Sequence, residues 1–255
     1  MVASQTHPFD LADWFAEGLR LTAFVSPSVS IKDQSWWETL LESPPEVKTQ
    51  RPKEGVQREE GPFEQGRLSL ETQPARVDWR YSGSSEPLLE SQQPLPGLGS
   101  FPSALVPFLS LMHKWVSIGP SLNRLAFGAV LFLPTQSRVE SYQKLSLLLP
   151  FALDAEGSTD FSYQINRSRQ SVSSIANLKI NRLSKWLAQV MRFGLIMPQN
   201  PAPKIQMDDH HACRLELDIN THQDYEGEFN SDAASAVMDE LVSLAQEIAS
   251  NGDKP

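Results

Sequence analysis

In the segment CRLELDIN, residues 213–220, apolar and polar side chains alternate strictly, with Cys213 counted as apolar. Successive side chains of a β-strand point to opposite faces, so this pattern predicts a strand with one buried and one polar face. The segment that follows, residues 231–252, has apolar residues at helical spacing and closes with Asn-Gly, a common helix stop. A half-buried strand followed by an amphipathic helix predicts a sheet that is covered by helices on its apolar side.

The same patterns recur along the rest of the chain. They predict helices at 10–19, 31–43, 102–116 and 137–149, and strands at 20–26, 66–81, 124–134 and 160–167. Residues 178–191 fit either a strand or a helix, with a strand favoured at the start. The segments RLTAFVS (20–26) and RLAFGAVLF (124–132) each precede a helix that carries Trp or Tyr and then further strands. We therefore predict an α+β fold with two similar halves, in which antiparallel sheets are flanked by helices and a strand plus a long amphipathic helix comes last.

The predicted domain organisation follows from changes in composition. An N-terminal α+β half spans 1–82, a connector rich in Ser, Pro and Gly spans 83–102, and a C-terminal α+β half spans 103–255. Within the first half, residues 42–66 are polar, charged and interrupted by proline. That composition predicts a mobile loop that contributes little to the core.

The order of elements resembles that of a sporadically distributed, uncharacterised family of bacterial proteins of about this length. The residues that carry the resemblance are Ile165-Asn166, Ile180-Asn181, Asp218-Ile219-Asn220 and the helix at 231–250. The resemblance implies two strand-rich halves, and it carries no established activity.

Charge and cysteine content restrict the classes of function. The formal net charge of −9 argues against general binding to nucleic acid or to anionic membranes. The single cysteine, Cys213, excludes a disulfide within the chain. The most apolar run, residues 125–134, is too short to span a bilayer, and the first residues lack the pattern of a signal peptide. We expect a cytoplasmic protein without a membrane partner.

A recurring motif supplies the candidate ligand-binding residues. Ile-Asn occurs at 165–166, 180–181 and 219–220, and on a half-buried strand each Asn would point away from the core. If the three strands are neighbours, their carboxamides converge on one sheet face. The alternative is that Asn-Arg ends each strand, with the arginine in solvent. The predicted ligand-binding set is Gln164, Asn166, Arg167, Arg169, Asn181, Arg182, Asp218 and Asn220.

Two other segments suggest different chemistry. Asp208, Asp209, His210 and His211, with Cys213 nearby, form a dense group of potential metal ligands, although a polar loop entering a strand has the same composition. Residues 160–205 contain seven basic residues and one acidic residue, which indicates either a solvated basic surface or a local anion site. Tyr163 and Trp186 would be stacking platforms if that segment bound nucleotides.

The sequence contains no Gly-rich phosphate loop, no G-x-S-x-G and no H-E-x-x-H motif. We therefore expect a non-catalytic cytosolic binding protein that needs no cofactor and recognises a protein partner or a second copy of itself. One alternative is a metal-dependent hydrolase that uses the cluster from Asp208 to Cys213. The other is nucleotide or nucleic-acid binding through residues 160–205, which the acidic remainder of the chain disfavours.

Overall fold

A computed structural model of the chain describes residues 9–26, 29–31, 34–83, 97–173, 175–197 and 204–253, with side chains at all of these positions except 192–197 and 204–208. The described part contains four α-helices, ten strands and a short 3-10 helix at Leu11–Asp13. The helices are α1 (Trp36–Leu41), α2 (Phe101–Ile118), α3 (Arg138–Leu148) and α4 (Ser231–Asn251). The strands are β1 (Phe15–Val25), β2 (Val47–Arg51), β3 (Val56–Phe63), β4 (Gly66–Gln73), β5 (Arg76–Gly83), β6 (Leu122–Thr135), β7 (Phe161–Asn166), β8 (Arg169–Gln170), β9 (Lys179–Met197) and β10 (Lys204–Thr221).

All ten strands belong to one sheet, and every pairing in it is antiparallel. The strand order is β2-β3-β4-β5-β1-β6-β10-β9-β7, with β8 paired to β9 beyond the end of β7. Each half starts with a central strand, continues through a helix and a meander, and returns to pair with its own first strand. The two halves join where β1 pairs with β6, from Phe15 opposite Phe132 to Val25 opposite Leu122. This arrangement confirms the predicted α+β class with two similar halves.

The helices lie on one side of the sheet and bury its apolar positions. On β10 the side chains of Cys213, Leu215, Leu217 and Ile219 are at most 4% exposed, as the alternation at 213–220 predicts. Helix α4 buries Val237, Leu241 and other residues of its apolar stripe. The indole Nε1 of Trp14 donates a hydrogen bond of 2.9 Å to the carbonyl of Ala249, which fixes the end of α4 near the start of β1. None of the described helices is long and apolar enough to cross a membrane.

Aromatic side chains fill much of the core beneath the first half. Trp37 on α1 stacks on Trp79 of β5, with ring centroids 6.4 Å apart, and Trp79 meets Trp115 of α2 edge-on. Such pairs stabilise a core beyond the area that they bury. The short helix α1 is therefore held by its two tryptophans, both of which are buried.

Two predicted elements differ from the structure. Residues 42–66 are not a loop, because β2 and β3 form a hairpin there and β3 pairs with β4 from Gln57 opposite Thr72 to Phe63 opposite Gly66. The sequence misleads because β2 is the sheet edge, where charged and polar residues on both faces are usual. The helix predicted at 10–19 is mostly strand β1, since only three residues adopt a 3-10 turn before Phe15. The predicted connector at 83–102 lies mainly outside the described residues, and α2 already begins at Phe101.

Candidate functional site: the open face of the sheet

The sheet face opposite the helices is referred to here as the open face. Cross-strand register places one row of residues directly across it, in the order Arg80, Arg20, Gly128, Asp218, Leu183 and Asn166. The neighbouring row is Ser82, Gly18, Val130, Glu216, Lys185 and Gln164. No described element of the chain packs over these rows. Residues from both halves thus build the open face, and many of the side chains at its centre are polar or charged.

The three asparagines of the Ile-Asn motif meet on the open face. Nδ2 of Asn166 donates to Oδ1 of Asn181 at 3.2 Å, and Nδ2 of Asn181 donates to Oδ1 of Asn220 at 3.1 Å. Nδ2 of Asn220 then donates to Oδ1 of Asp218 at 3.0 Å. We call this series the asparagine chain. Its members lie on β7, β9 and β10, which are neighbours in the sheet. The three carboxamides therefore converge on one sheet face, as the sequence predicts for neighbouring strands.

The asparagine chain fixes the carboxylate of Asp218. One oxygen accepts from Asn220, and the other accepts from Nη2 of Arg20 at 3.4 Å. The hydroxyl of Ser168 donates to Oδ1 of Asn181 at 2.6 Å, which adds a second donor to the same amide oxygen. Hydrogen bonds that run in series polarise one another and restrict side-chain rotation. Polar groups from four strands are thus held in place without any ligand.

A groove of about 630 Å³ lies at the centre of the open face. Gly18 of β1 and Gly128 of β6 form part of its floor, and Arg20, Arg80 and Lys185 are among the side chains that surround it. A Cβ atom on Gly128 would come within 3.3 Å of both Nε and Nη2 of Arg20. Glycine at this position therefore allows the Arg20 guanidinium to lie directly on the strand beside it.

The acids and bases of the groove differ in how far their hydrogen-bonding capacity is used. Glu216 accepts from Nε of Arg214 at 2.7 Å and lies 3.6 Å from Nζ of Lys185. Asp218 is held on both oxygens, as described above. In contrast, Nε of Arg20 is buried and has no hydrogen-bond partner, and exposed Arg80 has none within the described residues. Among the described residues, the groove thus retains guanidinium donors that no protein acceptor uses.

The structure divides the predicted ligand-binding set between the two faces. Gln164, Asn166, Asn181, Asp218 and Asn220 lie on the open face. The three arginines of the set lie on the helix side and pair with α4 or the residues just after it. Arg167 binds Asp253 at 2.6 Å, Arg169 binds Glu247 at 3.0 Å, and Arg182 binds Glu247 at 2.9 Å. The Arg182 side chain is only 13% exposed, so the alternative that each Asn-Arg places its arginine in solvent is wrong here.

These ion pairs neutralise much of the basic segment at 160–205. Burial lowers the pKa of the Arg182 guanidinium from its usual value, whereas the hydrogen bonds from Arg167 to Asp253 raise the pKa of Arg167. Trp186, a proposed stacking platform, is fully buried. The hydroxyl of Tyr163 donates a hydrogen bond to Asp253 at 2.8 Å. Burial, as the larger cause, and this hydrogen bond both raise the pKa of Tyr163. Trp186 is therefore not available for stacking, and the hydroxyl of Tyr163 is already used within the protein.

The proposed metal ligands lie along one strand. Asp208, Asp209 and His210 occupy the part of β10 that pairs with β9 alone, and His211 is the first residue of β10 that also pairs with β6. Strand alternation sends neighbouring residues to opposite faces, so Asp209 and His211 lie on one face of the strand and His210 on the other. Among the described side chains there is no group of three or more potential ligands. The metal-dependent alternative gains no support from this geometry.

Cys213 belongs to the core. Its thiol donates to the carbonyl of Ser141 on α3 at 3.4 Å, and the residue is 0% exposed. Burial raises the pKa of this thiol to about 12. A thiol in this state is a small apolar side chain rather than a nucleophile.

Arg20 and Arg80 are among the groove residues that the predicted set did not contain. Alternation within RLTAFVS and within VDWRY assigns both to the polar face of their strands, so their orientation was available from sequence. Their proximity was not, because it depends on β1 lying between β5 and β6.

Comparison of the chain with protein-family models, with curated proteins and with solved structures found no match. The resemblance to an uncharacterised bacterial family stays a prediction.

Proposed function

We propose that the protein is a non-catalytic binding protein that engages a protein partner through the open face. The observation that carries the proposal is the combination of a groove that no described element covers with side chains already fixed by the asparagine chain. An antiparallel sheet commonly leaves one face to solvent, but a solvated face needs no hydrogen-bonded series that spans several strands. Preorganised polar groups lose little conformational entropy on binding, which favours recognition.

The dimensions of the site favour a protein over a small molecule. The groove and its rim extend over β5, β1, β6, β10, β9 and β7, which is about 24 Å at the usual spacing of strands. A specific protein interface buries roughly 800 Å² on each partner, and a patch of this width is of that scale. The single cysteine and the lack of a described membrane-spanning helix are in keeping with a cytosolic setting, which we also propose.

Site-specific crosslinking in the native host tests the proposal. A photo-crosslinking amino acid replaces Ser82, which is exposed at the groove. The matched control carries the same amino acid at Val106, which is 70% exposed on α2. We expect a discrete protein adduct from position 82 that is absent from position 106 and is lost when R80E is added.

An adduct at twice the mass of the chain would identify the partner as a second copy. The same set of adducts at both positions, or no adduct at position 82, would contradict the proposal.

A further inference from the structure

We infer that the groove contains a carboxylate subsite, in which Arg80, Arg20 and Lys185 bind an acidic side chain of the partner. This inference rests on the proposed binding role of the open face and specifies the chemistry of what is bound there. None of these three residues belongs to the predicted ligand-binding set.

The first observation is the position of the two arginines. Arg20 and Arg80 are directly opposite each other on paired strands β1 and β5. Like charges at directly opposite positions of an antiparallel pair repel each other and destabilise the sheet. Among the described residues, only Arg20 of this pair forms an ion pair, at the long distance of 3.4 Å from Asp218. An anion placed between the two guanidinium groups would remove this repulsion.

The second observation is the unused donors. Nε of Arg20 is buried without a partner, and a buried donor left unpaired is unfavourable. The Arg80 guanidinium has all its donors available within the described structure. Guanidinium groups bind carboxylates through two parallel hydrogen bonds, so the exposed donors of Arg80 suit a carboxylate, whereas Nε of Arg20 lies against Gly128 on the groove floor. Lys185 lies 3.6 Å from Glu216, outside hydrogen-bonding distance, and adds a third cation at the other side of the groove.

The charge of the whole chain limits the kind of anion. With a net charge of −9, the protein repels polyanions at long range, whereas a short acidic segment meets only the local cations of the groove. Both carboxylates in the groove are already held by donors of the protein itself. They therefore compete weakly with an incoming carboxylate for Arg80.

The test uses the full chain and a defined probe. Acetyl-(Glu)4-amide is titrated into isotope-labelled protein while the Nε–Hε signals of arginine are followed by NMR, and acetyl-(Gln)4-amide and inorganic phosphate serve as comparison ligands. We expect saturable shifts of the Arg20 and Arg80 signals with the glutamate peptide only. R80A should weaken binding by about tenfold, the range of a central interface residue.

The matched control is R51A. Arg51 lies at the edge strand β2, its side chain is 68% exposed, and its partner Glu54 is in the adjacent turn. This variant should bind the glutamate peptide as the unmodified protein does. R80A should unfold at the same midpoint or at a higher one, because it removes the repulsion from Arg20 and because Arg80 has no partner among the described residues to lose. If R80A folds poorly, the titration of the unmodified protein still tests the inference.

A glutamine peptide that binds equally well, or saturation by phosphate without a response to the glutamate peptide, would overturn the inference. If no probe binds while position 82 still crosslinks, the subsite is wrong and the binding face survives. If the glutamate peptide binds at Arg80 but position 82 gives no adduct, the subsite stands and the protein-partner proposal fails.

Discussion

Arg80 and Arg182 illustrate how strand orientation decides what an arginine does in this chain. Arg80 points to the open face and has no partner among the described residues, whereas Arg182 points to the helix side and pairs with Glu247. Both arginines lie on strands, Arg80 after Trp79 and Arg182 after Asn181, and residue type alone does not distinguish their roles. The basic residues concentrated at 160–205 are partly structural, and the cations available for binding come largely from elsewhere.

Glu247 is the residue on which this structural role depends most. E247Q leaves the half-buried Arg182 and the neighbouring Arg169 without their carboxylate. Because Glu247 is itself 38% exposed, solvent moderates the loss, and we expect the free energy of unfolding to fall by about 1–2 kcal/mol. Urea denaturation measures this change. E226Q, at an exposed loop position, should change it by less than about 0.5 kcal/mol. Equal effects of the two variants would show that the α4 ion pairs contribute no stability.

The burial of Cys213 predicts how the free energy of unfolding depends on pH. Its thiol is neutral when protonated, and burial raises its pKa from 9.0 to about 12. The stability that this group contributes is therefore complete below pH 9 and is lost as pH rises from 9 towards 12. The difference in unfolding free energy between the unmodified protein and C213A should be constant at neutral pH and shrink across that alkaline window. Ellman's reagent should not react with the native protein at pH 8 and should react after denaturation; rapid labelling of the native state would contradict the burial.

At the scale of elements, α4 is the helix whose packing contributes most to the second half. Leu241 is 0% exposed in the middle of its apolar stripe. L241A should lower the free energy of unfolding by about 2–5 kcal/mol, as for other large-to-small changes in a core. The control is S243A on the same helix, where the side chain is exposed and the residue change favours helix. Calorimetric unfolding of both variants makes the comparison, and a midpoint unchanged by L241A would mean that α4 packs loosely.

Sequence patterns predicted the elements that have one clean periodicity. Strand β10 and helix α4 were predicted because 213–220 alternates and 231–252 has a continuous apolar stripe. Strand β2 was missed because an edge strand is polar on both faces. The start of β1 was missed because Phe15, together with Leu11 and Trp14, also fits a helical stripe. These errors arise where burial is decided by neighbouring elements rather than by the segment itself.

The site was predictable to the same limited extent. The orientation of Asn166, Asn181 and Asn220 follows from alternation alone. Their contact requires β7, β9 and β10 to be neighbours, and the groove requires β1 to separate β5 from β6. Strand order depends on pairings that no local pattern contains, and in the β1–β6 pairing Phe15 lies opposite Phe132, far away in the sequence.

At the scale of the whole molecule, the sheet is continuous through both halves. Strand β6 lies between β1 and β10 and pairs with each over most of its length. The predicted boundaries at 82 and 103 therefore separate halves that share a sheet, and the boundaries themselves stay a prediction.

Expressing the halves separately tests how far they depend on each other. A fragment of residues 1–97 leaves the apolar strand β1 as an unpaired sheet edge, and exposed edges of that kind aggregate. We expect each fragment alone to be insoluble or poorly ordered, and co-expressed fragments 1–97 and 98–255 to form a soluble complex. Size-exclusion chromatography and circular dichroism distinguish these results. A fragment that unfolds cooperatively by itself would show that the β1–β6 pairing is an interface between independent domains.

The pairing of β1 with β6 also has a consequence during synthesis on the ribosome. Strand β1 ends at Val25, and its second neighbour begins only at Leu122, so the nascent chain grows by almost 100 residues before that edge is closed. At about 5–20 residues per second, an apolar strand edge is exposed for several seconds. Chaperones that bind nascent chains should therefore increase the yield of folded protein. Slower translation between the two halves should lengthen the time for which the edge of β1 is exposed.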